Sequence, residues 1–230
     1  MATKILLVED EEAIRKFVKI NLEREGYNIL EAGSGEEGIE IARKEHPKIL
    51  VLDIMLPGID GFEVLKTLRP EFPSIGIIML SAKAEDYDKI MGFQYGSDDY
   101  LTKPFNPTEL TLRIKSLERR LEEDDEEASE NMLIQDAFKL DYYSRKFYKY
   151  GVEIELTPTE FQIMKIFMEN PKKAMNRDEI LKIVWGTEFI GDSKIVDVNI
   201  RRLRAKIEEN PAKPEYIETV WGLGYRWQGE

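Results

Sequence analysis

The chain has 230 residues, a formal net charge of −12 and no cysteine. That length accommodates two domains, each with its own core, and the absence of thiols excludes disulfides and thiolate metal sites. A single histidine, His46, argues against histidine-based metal sites and His-dependent triads. The charge is uneven. Residues 1–120 hold 17 Lys and Arg against 22 Asp and Glu, residues 121–131 hold seven acids and no base, and residues 132–230 hold 16 of each sign. The last third is therefore free to present a basic face, although a uniformly acidic protein would bind nucleic acid poorly. No apolar stretch approaches the ~20 residues of a membrane span. With a core strand starting four residues after Met1, no signal peptide is expected either, so the reading is a soluble, cytoplasmic protein.

Along residues 1–120, strand and helix patterns alternate. Strands are predicted at 4–8, 27–31, 48–52, 76–80 and 98–101, and helices at 12–25, 36–45, 61–69, 84–95 and 106–120. In the first helix Ile14, Val18 and Leu22 recur every four residues with Phe17 beside them. Five βα units with short connections imply an α/β doubly wound five-stranded parallel sheet covered on both faces. Residues 121–131 have no apolar periodicity. They form either an extended acidic linker or a charged continuation of the preceding helix, and in both cases a domain boundary falls there.

Five residues of this first part follow or lie beside the predicted strands: Glu9 and Asp10, Asp53, Ser81, and Lys103 before Pro104. Ligands collect at the carboxyl ends of parallel strands, so these residues should converge on one patch of three carboxylates, a hydroxyl and an ammonium. Each alone has an ordinary explanation as a cap or surface turn; their joint placement points to a divalent cation and a phosphoryl group. Mg²⁺ takes oxygen ligands, usually one or two carboxylates with water and phosphate. Asp10 and Asp53 suit that role, with Glu9 acting through water. The Asp53 carboxylate could then act as a nucleophile, Lys103 would neutralise the transferred group, and Ser81 would hydrogen-bond one of its oxygens. Met55-Leu56-Pro57-Gly58 reads as a tight turn that could aim the Met55 carbonyl at the metal.

These 120 residues resemble the receiver domain of two-component response regulators, a flavodoxin-like fold. The resemblance rests on Leu7-Val8-Glu9-Asp10, the run from Leu52 to Gly61, Leu80-Ser81-Ala82 and the run from Asp98 to Phe105. It implies that Asp53 accepts phosphate from a sensor histidine kinase, with Mg²⁺ held by Asp10, Asp53 and the Met55 carbonyl. It also implies a cis Lys103–Pro104 bond, self-catalysed dephosphorylation and a switch residue at Tyr100. The family's dimer face, on the fourth helix, fifth strand and fifth helix, is matched by Lys89 with Glu109, Asp99 with Arg113, and Arg120. One usual acidic position of that face is occupied by Tyr95.

From residue 132 the pattern changes to short strands (Met132–Leu140, Lys146–Tyr150, Ile154–Leu156) followed by three helices. Thr157-Pro158-Thr159-Glu160 is a capping box with proline at the first helical position. It opens a helix ending near Asn170-Pro171. Asn176 and Glu179 repeat that logic for a second helix stopped at Gly186. Asp192 or Ser193 could cap a third, ending near Asn210-Pro211. In this third helix Val196, Ile200, Leu203 and Ile207 form the inward stripe, while residues 194–206 carry five bases and one acid. A glycine-containing turn between Tyr216–Val220 and Tyr225–Trp227 closes the chain. This order is an α+β winged helix-turn-helix, with its third helix in the major groove.

Residues 132–230 resemble the effector domain of the OmpR/PhoB subfamily, through Leu156-Thr157-Pro158-Thr159-Glu160-Phe161, the run from Ile195 to Lys206, and the run from Thr219 to Arg226. The resemblance implies that Lys194, Arg201, Arg202 and Arg204 contact phosphates or guanines, with Val198 and Asn199 near base edges. It implies direct-repeat sites on double-stranded DNA, and contact of the loop Gly186–Asp192 with RNA polymerase. Trp221 stands where some members carry Arg. The combined expectation is a phosphorylation-dependent transcription regulator, a homodimer when phosphorylated. It is not an enzyme beyond its own phosphorylation and dephosphorylation. Two alternatives fit the same residues: a DNA binder indifferent to phosphorylation, and a Mg²⁺-dependent aspartyl-phosphate hydrolase. The second lacks that class's further Asp two residues after the nucleophile, because Met55 is there.

Overall fold

The computed structural model describes residues 2–81, 95–122, 132–187, 189 and 192–229. Residues 84–94 of the helix predicted at 84–95, with Lys89, most of the acidic segment 121–131, and residues 188, 190 and 191 of the Gly186–Asp192 loop lie outside the described residues. The chain divides into two compact units, Met1–Glu118 and Arg119–Glu230.

In the first unit, β1 (Lys4–Val8), α1 (Glu12–Arg24), β2 (Asn28–Ala32), α2 (Gly35–Glu45), β3 (Ile49–Asp53), α3 (Gly61–Glu71), β4 (Gly76–Ser81) and β5 (Asp99–Thr102) are followed by α4 (Pro107–Glu122). The helix named α4 is thus the fifth expected from the sequence. All strand pairs are parallel, in the order β2-β1-β3-β4-β5. Ile5–Val8, Ile49–Leu52 and Ile77–Leu80 are fully buried. That is why these strands read as unbroken apolar runs and not as alternations.

The helices close over the sheet with few surprises. On α1, Val18 and Leu22 are buried, whereas Phe17 faces outward. Ser34 and Asp60 cap α2 and α3 by accepting the N–H groups of Glu37 and Glu63 at 3.3 and 2.9 Å. α3 runs past Pro70, two residues beyond the predicted end, because the Phe72 N–H still donates to the Leu68 carbonyl at 2.8 Å. A proline this late in a helix removes only one internal donor.

The second unit begins with an antiparallel sheet of β6 (Met132–Gln135), β7 (Phe138–Asp141), β8 (Lys146–Lys149) and β9 (Val152–Ile154). The single strand expected over Met132–Leu140 is instead a hairpin, turned at Asp136, whose φ of 48° is in the left-handed region that Asp tolerates. Then come α5 (Pro158–Glu169), β10 (Ala174–Asn176), α6 (Arg177–Trp185), α7 (Lys194–Ile207), β11 (Ile217–Val220) and β12 (Gly224–Trp227). The short β10 was not predicted; it pairs with β12, giving the sheet order β10-β12-β11. α7 stops at Ile207, before the expected Asn210, because Glu208 adopts an extended backbone. Its carboxylate accepts the N–H groups of Glu215, Tyr216 and Ile217.

A buried amide ties the first sheet to the helices. Trp227 Nε1 donates to Gln135 Oε1 at 2.8 Å, and Gln135 Nε2 donates to the Met168 carbonyl at 2.6 Å. The predicted capping box is complete: the Thr157 side chain accepts from the Glu160 N–H, and the Glu160 carboxylate accepts from the Thr157 N–H at 2.8 Å. Thr157→Ala is expected to cost about 1 kcal/mol of stability, read as a lower midpoint in denaturant unfolding followed through the second unit's tryptophans. An unchanged midpoint would show that the cap contributes nothing.

Candidate phosphoacceptor and DNA-binding sites

At the carboxyl edge of the parallel sheet, Glu9 follows β1, Asp53 ends β3, Ser81 ends β4 and Lys103 follows β5. Strand register aligns Asp53 with Leu80 and Ser81 with Thr102, so all four stand at one level. Lys103 Nζ lies 2.6 Å from Asp53 Oδ2 and 2.7 Å from Glu9 Oε2. The Lys103 N–H donates to the Ser81 carbonyl at 2.6 Å, and the Lys103–Pro104 bond is cis. Glu9 and Asp53 are 0% and 2% exposed, whereas Asp10 is open to solvent. One carboxylate oxygen each from Glu9, Asp10 and Asp53 lies within 4.8 Å of the others.

One ammonium does not balance three carboxylates. Burial pushes the Glu9 carboxyl up to about 7, with the Asp53 charge adding to the rise and Lys103 opposing it. Burial alone would lower the Lys103 ammonium, but Asp53 and Glu9 outweigh it and hold that group above its usual range. The donor set is all oxygen, close-spaced and over-supplied with negative charge. It therefore fits a hard divalent cation such as Mg²⁺, with Asp10 and Asp53 as ligands and Glu9 next to them.

The surrounding loops are individually fastened. The Met55 N–H donates to Asp53 Oδ1 at 3.2 Å, which sets the turn after Asp53. Glu36 of α2 accepts the Ile59 N–H at 3.3 Å from the same loop. Gly61 opens α3 where any Cβ would sit 2.2 Å from the Asp53 carbonyl oxygen, so the helix can start this close to Asp53 only with glycine. Ser81 and Tyr100 are both buried, on β4 and β5. Of the residues expected at a dimer face, Arg113 reaches Asp99 at 2.8 Å and Glu109 at 2.8 Å within the same chain. Arg120 is buried in the second unit, where it donates to Thr159 Oγ1 at 3.2 Å. In this conformation Arg120 is engaged internally and does not lie on an open face.

The second unit carries the basic helix α7. The predicted stripe Val196, Ile200, Leu203 and Ile207 is buried as expected. Lys194 and Arg201 are exposed and Val198 is half-buried. The remaining three expected contacts are occupied within the protein. Asn199 is buried and donates to the Ile195 carbonyl at 2.9 Å. Arg204 donates to the Ile217 carbonyl and, at 2.9 Å, to Thr219 Oγ1 on β11. Arg202, only 11% exposed, reaches Glu160 at 2.8 Å. A helix with basic residues on three sides turns some of them onto its own supports.

Three supports were not foreseen. Glu160 takes Lys206 as well as Arg202, both at under 3 Å, from a helix more than 40 residues away in the chain. Asp197 of α7 accepts from Arg177 at 2.6 Å and from the Tyr225 hydroxyl at 2.7 Å, linking α7 to α6 and β12. Arg15 donates to main-chain carbonyls beside the acidic site. Spacing gave no signal for any of them, since each joins residues on different elements. The turn between β11 and β12 projects Trp221, 92% exposed, with Leu223 also open.

Two family models match these units: the response regulator receiver domain over residues 5–115, and the C-terminal domain of transcriptional regulatory proteins over residues 151–227. The chain belongs to the OmpR/PhoB-type response regulators. It is 42% identical over 234 residues to the alkaline phosphatase synthesis transcriptional regulatory protein PhoP of Bacillus subtilis, covering 98% of this chain and 97% of that one. It is 38% identical over 231 residues to the transcriptional regulatory protein ResD of the same organism, covering 98% and 96%. Among solved structures it is similar to the Thermotoga maritima OmpR/PhoB homologue DrrB, at 32% identity, full coverage of both chains and a TM-score of 0.53. The protein is therefore a DNA-binding transcriptional response regulator. Among the described residues no helix is long and apolar enough to cross a membrane.

Proposed function

We propose that Asp53 is the phosphoacceptor and that its phosphorylation, by a sensor histidine kinase in the cytoplasm, controls DNA binding. The observation that carries this reading is the Lys103 ammonium set between Asp53 and Glu9, with Asp10 within 4.8 Å of both acids. The Asp53 carboxylate attacks the donor's phosphorus, the bond to the donor's leaving group breaks, and an acyl phosphate forms. Bound Mg²⁺ supplies charge neutralisation for the transferred group. Lys103 holds the acceptor oxygen in place and offsets the charge arriving there, and Ser81 hydrogen-bonds a phosphoryl oxygen. The same site hydrolyses its own product, so turnover of external phosphoesters is not its activity.

Phosphate at Asp53 favours a homodimer through the face that includes Lys89, Asp99, Glu109, Arg113 and Arg120, with Tyr100 as the switch residue. Two effector units then sit over direct repeats on double-stranded DNA, which raises their effective concentration. On α7, Lys194, Val198 and Arg201 lead in contacting DNA, with Asn199, Arg202 and Arg204 behind them. The loop Gly186–Asp192 is offered to RNA polymerase.

The test is phosphoramidate treatment with Mg²⁺, followed by analytical ultracentrifugation and fluorescence anisotropy on DNA selected from random sequence. A shift from monomer to dimer and affinity tighter by about 10²-fold are expected. Fully labelled protein with the sedimentation and DNA affinity of the untreated chain would favour the phosphorylation-independent alternative.

A further inference from the structure

We propose that Arg15 is a positioning residue for the cation ligands of the phosphoacceptor site, acting through the main chain of Glu9 and Asp10. The inference rests on the reading of that site given above and extends it to a residue outside the acidic cluster. Two of the three acids lie in the short connection between β1 and α1. That connection has no local fastening of the usual kind. The N-cap residue of α1, Glu11, makes no side-chain cap bond, whereas Ser34, Asp60, Thr157 and Asn176 cap α2, α3, α5 and α6.

Arg15, one turn into α1, takes over this task. Its Nη1 donates to the Glu9 carbonyl and, at 3.2 Å, to the Asp10 carbonyl. The guanidinium is itself held from the opposite side. Its Nε lies 3.9 Å from Glu31 Oε1 of β2, and Glu31 also pairs with Lys19. With the carbonyls of residues 9 and 10 drawn toward Arg15, both peptide planes are fixed and the two carboxylates have little freedom apart from their own side-chain torsions. Arginine is suited to this because its planar fork donates in several fixed directions while staying charged, which a lysine cannot reproduce. Residues that hold metal ligands in this indirect way typically change metal affinity by 10–100-fold when removed.

The experiment is isothermal titration of Mg²⁺ into the full, unphosphorylated chain, for wild type, Arg15→Ala and Arg15→Lys, with thermal unfolding by circular dichroism as the folding check. Folded Arg15→Ala is expected to bind Mg²⁺ about 10–100-fold more weakly, with Arg15→Lys between it and wild type. Labelling by phosphoramidate should be slow at low Mg²⁺ and recover at saturating Mg²⁺, a split that general destabilisation does not produce. Wild-type affinity in folded Arg15→Ala overturns the proposal. Should that variant not fold, Arg15→Lys decides: weaker binding supports the role and unchanged binding refutes it. A wild-type chain that binds no Mg²⁺ instead removes the underlying reading of the site.

Discussion

Asp53→Asn is expected to bring labelling by phosphoramidate to background, even at saturating Mg²⁺. On the proposed reading the Asp53 carboxylate is the nucleophile; an amide is neutral and its nitrogen lone pair is delocalised. Asparagine nonetheless keeps the side-chain volume, and its oxygen can still accept the Met55 N–H that now donates to Asp53 Oδ1 at 3.2 Å. The fold should therefore survive while the chemistry is lost. Lys103→Met makes a graded comparison. It removes the ammonium that lies 2.6 Å from Asp53 and 2.7 Å from Glu9, and leaves the nucleophile in place. Labelling of that variant should be slower by about 10²–10³-fold, the usual loss when one preorganised charge-stabilising donor is deleted. Intact-protein mass spectrometry over time, with the label mapped by peptide, reads both. Retention of label in Asp53→Asn would reassign the acceptor.

The second large effect concerns Arg202. The family resemblance implies that it is a DNA contact, and Arg202→Ala would then weaken binding by ~1–3 kcal/mol if it reads a base. Its partner in the structure points elsewhere. Glu160 is fully buried, and Arg202 and Lys206 both reach its carboxylate. Burial raises the Glu160 carboxyl, but the two cations outweigh it and hold the group below its ordinary value of 4.5. Removing Arg202 strands part of a buried charge, which typically costs 3–5 kcal/mol; with Lys206 still in place, about 3 kcal/mol is expected. A group whose folded value is depressed contributes stability that is complete above 4.5 and is lost as the pH falls through the lowered value. Acid unfolding of wild type should therefore steepen below that point, and Arg202→Ala should show less of this dependence. Denaturant melts at neutral and acidic pH measure it. Wild-type stability combined with a loss of DNA affinity would return Arg202 to the DNA-reading face.

The parallel sheet was legible because strands buried on both faces leave uninterrupted apolar runs, as in Ile49–Leu52, and the residue after each run falls at the carboxyl edge by geometry. Asp53, Ser81 and Lys103 could be brought together on that ground alone. The capping boxes at Thr157 and Asn176 were equally readable, since a side chain reaching three residues along its own chain is a local event. Legibility failed where a partner lies on another element. Helical spacing turns Arg202 about 100° from Arg201, which faces solvent, but it cannot name Glu160 as the partner onto which Arg202 folds.

From the amino-acid order by itself follow the strands, most helix starts, the acidic cluster at the carboxyl edge of the sheet and the basic character of the third effector helix. All of these are set by short-range patterning and by the rule that parallel strands present their ends on one edge. Folding in three dimensions alone decided which charges stay available. Burying Glu160 obliges Arg202 and Lys206 to neutralise it, and half-exposed Asp197 and the main chain around Glu9 draw in Arg177 and Arg15; such pairings depend on distances between elements that no sequence period encodes.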